Sequence, residues 1–306
     1  MKHSKSTKSL QELNLLDSYL FGASTENPQN AEFIAKLIIE RTTGRHIKEI
    51  LVMPEKQLSG IDTSYHGIRM DLCIMEYAND NVAGVYDIEP NRYRIKELPK
   101  RSRYSQVLTD SKLLATSEDY MQLPEYVSIW ILTQDPFGRN RMVYTVRNKV
   151  EEVCDVCFDD GVTKLFLYVY GEEGGSEELR SLLRYFADSV SKNATDEEIK
   201  QVHKIVTDIR ENRERRMQSM KFKEMLEYEK EESFDEGYDE GVLAGEARGE
   251  ARGMQAGIET GRLQSIGIYI GSLREFNIQE EDILNSVIGK FGIPKEKAME
   301  LMAGNP

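Results

Sequence analysis

A glycine at every fourth position near the end of the chain is the feature that most restricts its fold. Seven glycines stand at positions 237, 241, 245, 249, 253, 257 and 261. Each glycine inside a helix costs about 1 kcal/mol relative to alanine, so we do not expect an isolated helix in this segment to be stable. The repeat therefore divides the chain into a compact part before it and a short tail after it.

Two interpretations of this glycine repeat remain open. In the first, residues 236–262 form a flexible acidic linker. In the second, two copies of the segment pack closely, because residues four apart lie on one helical face that drifts by about 40° per step. Apolar side chains would then border the contact, namely Val242, Leu243, Ala247, Ala251 and Ile258. We favour the second interpretation, which predicts a homodimer through the glycine repeat.

The pattern along the chain predicts four regions. Residues 1–190 alternate strand-like and helix-like runs, which indicates an α/β domain. Residues 191–235 are highly charged and helical in character, and residues 236–262 hold the glycine repeat. Residues 263–306 contain two amphipathic helical stretches, of which the second begins near Pro294.

Short apolar runs predict the strands of the α/β domain. Ile68–Ile74 and Val82–Glu89 alternate apolar and polar residues and are separated by a hairpin-like loop, so we expect them to pair as antiparallel neighbours. Residues 126–133 and 141–147 flank a turn, which predicts a second hairpin, and residues 163–170 form a fifth strand. Helical spacing is found at 31–44, from Pro99 to about Ala115, and near 177–190.

The two paired runs carry the acidic residues that could perform chemistry. Asp71 lies on the polar side of the first run, and Asp87 and Glu89 share one side of the second. Carboxylates brought together repel each other, which raises a pKa or recruits a divalent cation. Mg²⁺ prefers hard oxygen ligands and usually takes one or two carboxylates with water and phosphate. The pair Asp71 and Glu89 is therefore compatible with a metal site, but most acidic residues in strands simply face water, so the pair alone does not predict one.

Sequence blocks in a fixed order resemble a known family. They are LLDSYLFG (15–22), GIRMDLCI (67–74), YDIEPNRY (86–93), LPKRSRYSQVLTDSKLL (98–114) and DYMQLPEYVSIWILTQDPFGR (119–139), followed by MVYTVRNKVEEVC and DDGVTKLFLYVYG. This order resembles the PD-(D/E)XK nucleases, and among them the Rpn-type recombination-promoting nucleases often labelled transposases. The resemblance covers about residues 13–190 and implies a restriction-endonuclease-like core with a mixed central sheet flanked by helices.

The resemblance also implies roles for individual residues. Asp71 and Glu89 take the metal-binding positions, and Asn91 falls where lysine or glutamine is expected. Tyr104 and Gln106 lie on a helix that faces nucleic acid, where Arg101 and Arg103 would contact the DNA backbone. Either Glu32 or Glu40 on the first helix would supply a further carboxylate, and Asp87 could serve as a substitute ligand.

Two residues depart from the family pattern. Asn91 is shorter than glutamine and carries no charge, so it can orient water but cannot neutralise developing charge. Pro90 cannot donate to a sheet ladder, which suits an edge position or a bulge beside an active site. The alternative is that both residues mark a site that no longer catalyses.

The expected function is Mg²⁺-dependent hydrolysis of DNA phosphodiesters, with Mn²⁺ or Ca²⁺ as other candidate metals. The net charge of −13 is unusual for such an enzyme, but residues 92–103 hold six basic side chains against one acidic one, which predicts a local DNA-binding surface. The alternative function is a catalytically inactive DNA-binding or oligomerising scaffold.

Composition indicates where such a protein works. The sequence has no apolar run of eighteen residues, which predicts no membrane span. Residues 1–16 lack the apolar stretch of a secretory signal, and three cysteines are too few for a disulfide framework. These features predict a cytoplasmic protein.

Overall fold

The chain folds into two compact units, Met1–Glu224 and Met225–Pro306. The computed structural model describes residues 8–60, 66–91, 95–153, 155–156 and 158–304; at residues 91, 229–241, 243 and 244 it describes the backbone only. The domain boundary expected near residue 190 falls inside the first unit. The helix that follows residue 190, Glu197–Glu211, contributes Ile199, Val202 and Val206 to the main apolar core of that unit.

A six-stranded mixed sheet forms the centre of the first unit, which confirms an α/β fold with a central sheet flanked by helices. The strand order is β1-β2-β3-β4-β6-β5. Strands β1, β2 and β3 pair antiparallel, β4 lies parallel to both β3 and β6, and β5 pairs antiparallel with β6. The strands are β1 (Ile50–Leu58), β2 (Ile68–Ala78), β3 (Asn81–Asn91), β4 (Glu125–Leu132), β5 (Val143–Val146) and β6 (Val162–Tyr168).

The predicted pairing of β2 with β3 is confirmed. Their connection is a two-residue turn in which Asn79 and Asp80 have φ values of 50° and 64°, and Ala78 pairs with Asn81. A two-residue hairpin turn with positive φ at both residues has a backbone twist that matches the twist of the two strands. Asparagine and aspartate tolerate positive φ. This turn and the bulge at Glu76 and Tyr77, which shifts the register by one residue, together place Asp71 next to Glu89.

The sheet differs from the expectation in two ways. Strand β1 was not predicted, because Pro54, Glu55 and Lys56 interrupt its apolar pattern; it lies at an edge of the sheet, where proline is tolerated. Strands β4 and β5 do not form a hairpin, because β6 lies between them. The connection holds Asp135, whose carboxylate accepts hydrogen bonds from the backbone N–H groups of Phe137, Gly138 and Asn140.

Eight helices accompany the sheet in the described part of the chain. They are α1 (Ser18–Thr25), α2 (Pro28–Thr43), α3 (Leu98–Leu113), α4 (Glu177–Ala187), α5 (Glu197–Glu211), α6 (Arg213–Glu275), α7 (Glu280–Phe291) and α8 (Lys295–Ala303). Short 3₁₀ turns lie at Leu10–Glu12, Tyr120–Gln122 and Ser191–Asn193. Helix α2 begins after the cap Asn27, earlier than the predicted start at residue 31, and ends at Gly44 (φ 70°), as predicted.

The two faces of the sheet are covered differently. Helices α1, α2, α4 and α5 pack on one face and build the main apolar core with side chains such as Leu72, Ile88 and Ile129. Helix α3 connects the parallel strands β3 and β4 and lies against the other face, where Leu98 packs with Trp130. Crossover helices of this kind cover the sheet face that a parallel pair would otherwise expose.

Helix α6 runs through the glycine repeat, where the linker interpretation predicts irregular chain. The residues between the glycines are largely alanine, glutamate and arginine, all strong helix formers. The end of α6 packs with α7 and α8 around a small C-terminal core that includes Ile266, Ile283 and Met302. After residue 263 the chain thus holds the end of α6 and the two helices α7 and α8, and α8 begins directly after Pro294, near the start predicted for the second stretch. Among the described helices, none combines the length and apolar character that a bilayer span requires.

Candidate active site

Polar residues interrupt the apolar face of the sheet beneath α3. One small apolar cluster contains Met70, Cys73, Val85 and Tyr126, and another contains Leu98, Trp130, Leu132 and Phe166. Between them, Asp87 is paired with Cys73 on β2 and with Ser128 on β4. Directly paired residues share a face of the sheet, so Asp87 and Ser128 form a polar layer between the two apolar clusters.

Asp71 and Glu89 meet at the end of the β2–β3 pairing. The last backbone pair in this direction is Leu72 with Ile88. Beyond it the backbone N–H of Asp71 donates to Glu89 Oε1 at 3.1 Å, so a carboxylate replaces the strand partner. Pro90, which has no N–H to donate, follows directly. Pro90 does not lie in an edge strand, since β3 is central, but it stands where pairing with β2 has already ended.

Asp87 is fully buried and held by hydroxyl groups. Its Oδ2 accepts hydrogen bonds from Tyr126 at 3.0 Å and from Ser105 of α3 at 3.3 Å. The Ser105 side chain is itself buried. A carboxylate fixed by two neutral donors keeps its orientation, and its charge adds to the field that acts on Glu89.

Burial controls the ionisation of all three acids. It raises the pKa of Asp71 to about 6, with a smaller upward contribution from Glu55 and downward contributions from Arg69 and Arg101. Burial also raises the pKa of Asp87 to about 7, against the hydrogen bonds from Tyr126 and Ser105. The pKa of Glu89 lies well above its usual range because of burial and the charges of Asp87 and Asp71. In the absence of a counter-cation the cluster therefore retains protons near neutral pH.

Two oxygen atoms of the cluster are compatible with a cation. Asp87 Oδ1 and Glu89 Oε2 are buried and have no hydrogen-bond partner among the described residues. A buried carboxylate oxygen without a partner is costly unless it is protonated or binds a cation. Within the described residues no three histidine, cysteine or acidic side chains are placed to share one metal ion. Mg²⁺ needs only one or two carboxylates when water and phosphate complete its shell, so the donor set fits this ion.

The acids of the first long helix lie elsewhere. Glu32 pairs with Lys36 on the surface of α2, and Glu40 pairs with His46 at its end. Neither has a described contact with Asp71, Asp87 or Glu89. The acid that does act on Asp71 is Glu55 of β1, whose charge raises the Asp71 pKa. Glu55 has a φ of 51°, in the left-handed region, although it lies within the edge strand β1. The adjacent Pro54 does not predict this conformation.

Helix α3 presents part of the predicted basic surface. Arg103 is exposed, as are Lys96 and Lys100, whereas Arg101 is half-buried and its charge lowers the pKa of all three acids. Arg92 and Arg94 lie outside the described residues. Lys164 of β6 joins this surface, because it pairs with Ser128 on the same sheet face as Asp87; burial lowers its pKa, Asp160 raises it and Arg103 lowers it. Sequence reasoning missed Lys164 because strand β6 is far from α3 along the chain.

The remaining predicted residues have the following places. Tyr104 is partly exposed, and its hydroxyl donates to the His66 carbonyl at 2.5 Å. The Gln106 side chain donates to Asp110 on the same helix at 3.4 Å. Asn91 ends β3, and its side chain lies outside the described part of the chain. The structure thus brings Asp71, Asp87, Glu89 and Arg101 into one electrostatic cluster.

Comparison with known proteins adds no relative. Neither a protein-family model, nor a curated protein, nor a solved structure matches this chain.

Proposed function

We propose that this protein is a Mg²⁺-dependent DNA endonuclease with a PD-(D/E)XK-like core. The observation that supports the proposal is the contact of Asp71 with Glu89 in a buried acidic cluster that contains two unpartnered carboxylate oxygens. DNA would lie along the basic surface formed by α3 and Lys164. The order of the sequence blocks supports a role in DNA breakage that promotes recombination or accompanies mobile elements.

Asp71 and Glu89 would hold the metal, with Asp87 behind them. The bound ion would supply Lewis-acid activation of a phosphodiester and a nucleophilic hydroxide at neutral pH. Asn91 would orient the attacking water by hydrogen bonding, since an amide can donate and accept. The charge of Arg101 lowers the pKa of all three acids, so Arg101 would compensate in part for the lysine that Asn91 does not supply. Arg103, Tyr104 and Gln106 would contact the DNA backbone.

The decisive experiment is cleavage of supercoiled plasmid with Mg²⁺, Mn²⁺, Ca²⁺ or EDTA. We expect metal-dependent nicking by the wild type and a loss of about 100-fold or more for Asp71→Asn and for Glu89→Gln, since each removes a metal-binding charge while preserving shape. Glu177→Gln on the exposed side of α4 is the matched control and should retain full activity. Nicking that persists at the wild-type rate in both site variants would refute the proposal.

A catalytically inactive DNA-binding scaffold is the second candidate. The burial of Glu89, which is 2% exposed, favours it, because a metal reaches this oxygen only if the covering side chains move. Asn91→Lys and Asn91→Gln distinguish the two candidates. A large gain in nicking with either variant indicates a site that has lost its catalytic residue. If the wild type nicks DNA and neither variant is faster, asparagine at position 91 is sufficient for catalysis. DNA binding without cleavage under every metal supports the scaffold.

A further inference from the structure

A cleft of about 390 Å³ adjoins Asp71 within the first compact unit. Its volume lies in the range of roughly 300–1,000 Å³ that small-ligand sites occupy. Helix α1, the strands β1 and β2 and the first turns of α6 form its walls. The cleft contains one acid of the candidate metal site, and Ser18, Tyr19, Phe21 and Gly22 of the block LLDSYLFG line it, but the basic surface of α3 does not contribute to it.

One wall of the cleft is aromatic. The rings of Tyr19 and Phe222 lie 5.5 Å apart and are tilted by 42°. The Tyr19 hydroxyl donates to the backbone carbonyl of Arg215 at 2.7 Å, and the Arg215 side chain pairs with Glu26. These contacts attach α1 to the start of α6 and fix the rings in place. A fixed aromatic wall is the structure on which nucleic acid bases stack.

The charges of the cleft select a neutral ligand. Asp71, Glu55 and Glu26 outnumber Arg69 and Arg215, and Arg215 is already paired with Glu26. Such a lining repels a second phosphate but accepts an uncharged base and sugar, whose polar edges can bond to the Glu55 carboxylate or the Ser18 hydroxyl. Arg69 is exposed and lines the cleft with Asp71, so it is placed to meet the adjoining backbone.

We propose that this cleft binds the base and sugar of a DNA nucleotide adjoining the phosphodiester held at Asp71. The inference rests on the proposed nuclease function and deepens it. A base inside the cleft cannot remain stacked in a duplex, so the bound nucleotide is either extruded from the helix or already single-stranded. Single-stranded or locally opened DNA is therefore the preferred substrate.

Gly22 provides the sharpest test of the cleft. It lies on α1 in the cleft wall, and a side chain added there would first meet Glu55 Oε1, 3.6 Å from the new β-carbon. Gly22→Leu should therefore fill the cleft without disturbing a buried neighbour. Gly289→Leu is the matched control, because Gly289 is an exposed helical glycine in the other compact unit with nothing within 4 Å of its β-carbon position.

Binding is measured by fluorescence anisotropy with full-length protein, in Ca²⁺ if the plasmid assay shows no nicking with that ion and in EDTA otherwise. The probes are a labelled thymidine dodecamer and an abasic dodecamer of the same backbone. We expect the wild type to bind the thymidine probe about tenfold more tightly than the abasic one. Gly22→Leu should lower its affinity for thymidine to the abasic level and leave abasic binding unchanged, and Gly289→Leu should behave as wild type. Equal binding of both probes by the wild type overturns the inference.

A second variant covers a failure of Gly22→Leu to fold, which thermal melting would reveal. Phe222→Leu removes the ring but keeps apolar bulk, and it should weaken only thymidine binding; an unchanged preference overturns the inference.

Plasmid nicking separates the two proposals. Nicking that depends on Asp71 without any base preference refutes the cleft alone, whereas base preference without metal-dependent nicking refutes the nuclease alone.

Discussion

At the scale of single residues, the buried acids beneath α3 are the most consequential feature. Asp87 is completely buried, has one oxygen bound by two hydroxyls and leaves the other unpartnered. Burying a carboxylate favours its neutral form. The folded state therefore holds protons that the unfolded chain releases, and the stability of the metal-free protein must depend on pH.

The direction of this dependence follows from the raised pKa values. Asp87 has a folded pKa of about 7 against an ordinary value of 3.8, so its contribution to stability is present at low pH and is lost as the pH rises through 7. We expect the free energy of unfolding in EDTA to fall by roughly 1–4 kcal/mol between pH 5 and pH 8. Urea unfolding of wild type and Asp87→Asn measures this.

The Asp87→Asn variant keeps the hydrogen-bond acceptor but cannot ionise, so its stability should change less over the same pH range. Added Mg²⁺ should stabilise the wild type more at pH 8 than at pH 5, because the ion competes with protons for the carboxylates. A variant with the same pH slope as the wild type would show that Asp87 does not carry the effect.

At the scale of elements, an arginine joins two helices of the main core. Arg41 of α2, whose side chain is 7% exposed, binds both carboxylate oxygens of Asp196 and also Glu198. Asp196 is at the same time the N-cap of α5 and accepts from Ile199 N–H. The bridge thus holds the start of α5 against α2, and this helps to place α5 inside the first compact unit.

Removing this arginine should loosen the junction of α2 and α5. We expect Arg41→Met to lower the free energy of unfolding by roughly 2–4 kcal/mol, since it leaves two acids without their partner. Lys36→Met is the matched control on the same helix; its pair with Glu32 is exposed, and its loss should change stability by at most about 0.5 kcal/mol. Equal effects of the two substitutions in urea unfolding would contradict the role given to Arg41.

The glycine repeat in α6 gives a second prediction at this scale. Gly245, Gly249, Gly253 and Gly257 have nothing within 4 Å of their β-carbon positions in the chain. Replacing all four with alanine should raise helicity by circular dichroism, because each change favours the helix by about 0.5–1 kcal/mol. If two copies pack through these glycines, the same variant should dimerise less in sedimentation experiments. Unchanged association would show that close backbone approach at the repeat is not needed.

At the scale of the whole molecule, each compact unit has an apolar core of its own. We therefore expect a chain ending at Glu224 to fold cooperatively and to retain metal-dependent nicking. It should be monomeric, whereas we propose that the full chain forms a homodimer through the glycine repeat. Light scattering on both chains measures the difference. Association of the shortened chain to the same extent as the full chain would contradict the proposed dimer contact.

Local patterns predicted much of the sheet but not the environment of its acids. The alternation in β2 and β3 and the turn residues between them predicted that the two strands pair, but not the bulge at Glu76 and Tyr77 that brings Asp71 next to Glu89. Alternation normally sends polar residues toward solvent, however, and the burial of Asp87 arises because α3 crosses over that face. The position of β6 between β4 and β5, the approach of Lys164 to Arg103 and the left-handed Glu55 all depend on contacts between distant segments, which local periodicity does not encode.

The two outer strands of the sheet bear on how the protein behaves when crowded. Strand β1 carries Pro54 and the left-handed Glu55, and β5 is only four residues long. A proline, a local kink and a short strand all hinder the addition of a foreign strand. The sheet is therefore poorly suited to templating aggregates, and concentrated or stressed samples should remain dispersed rather than grow fibrils from its edges.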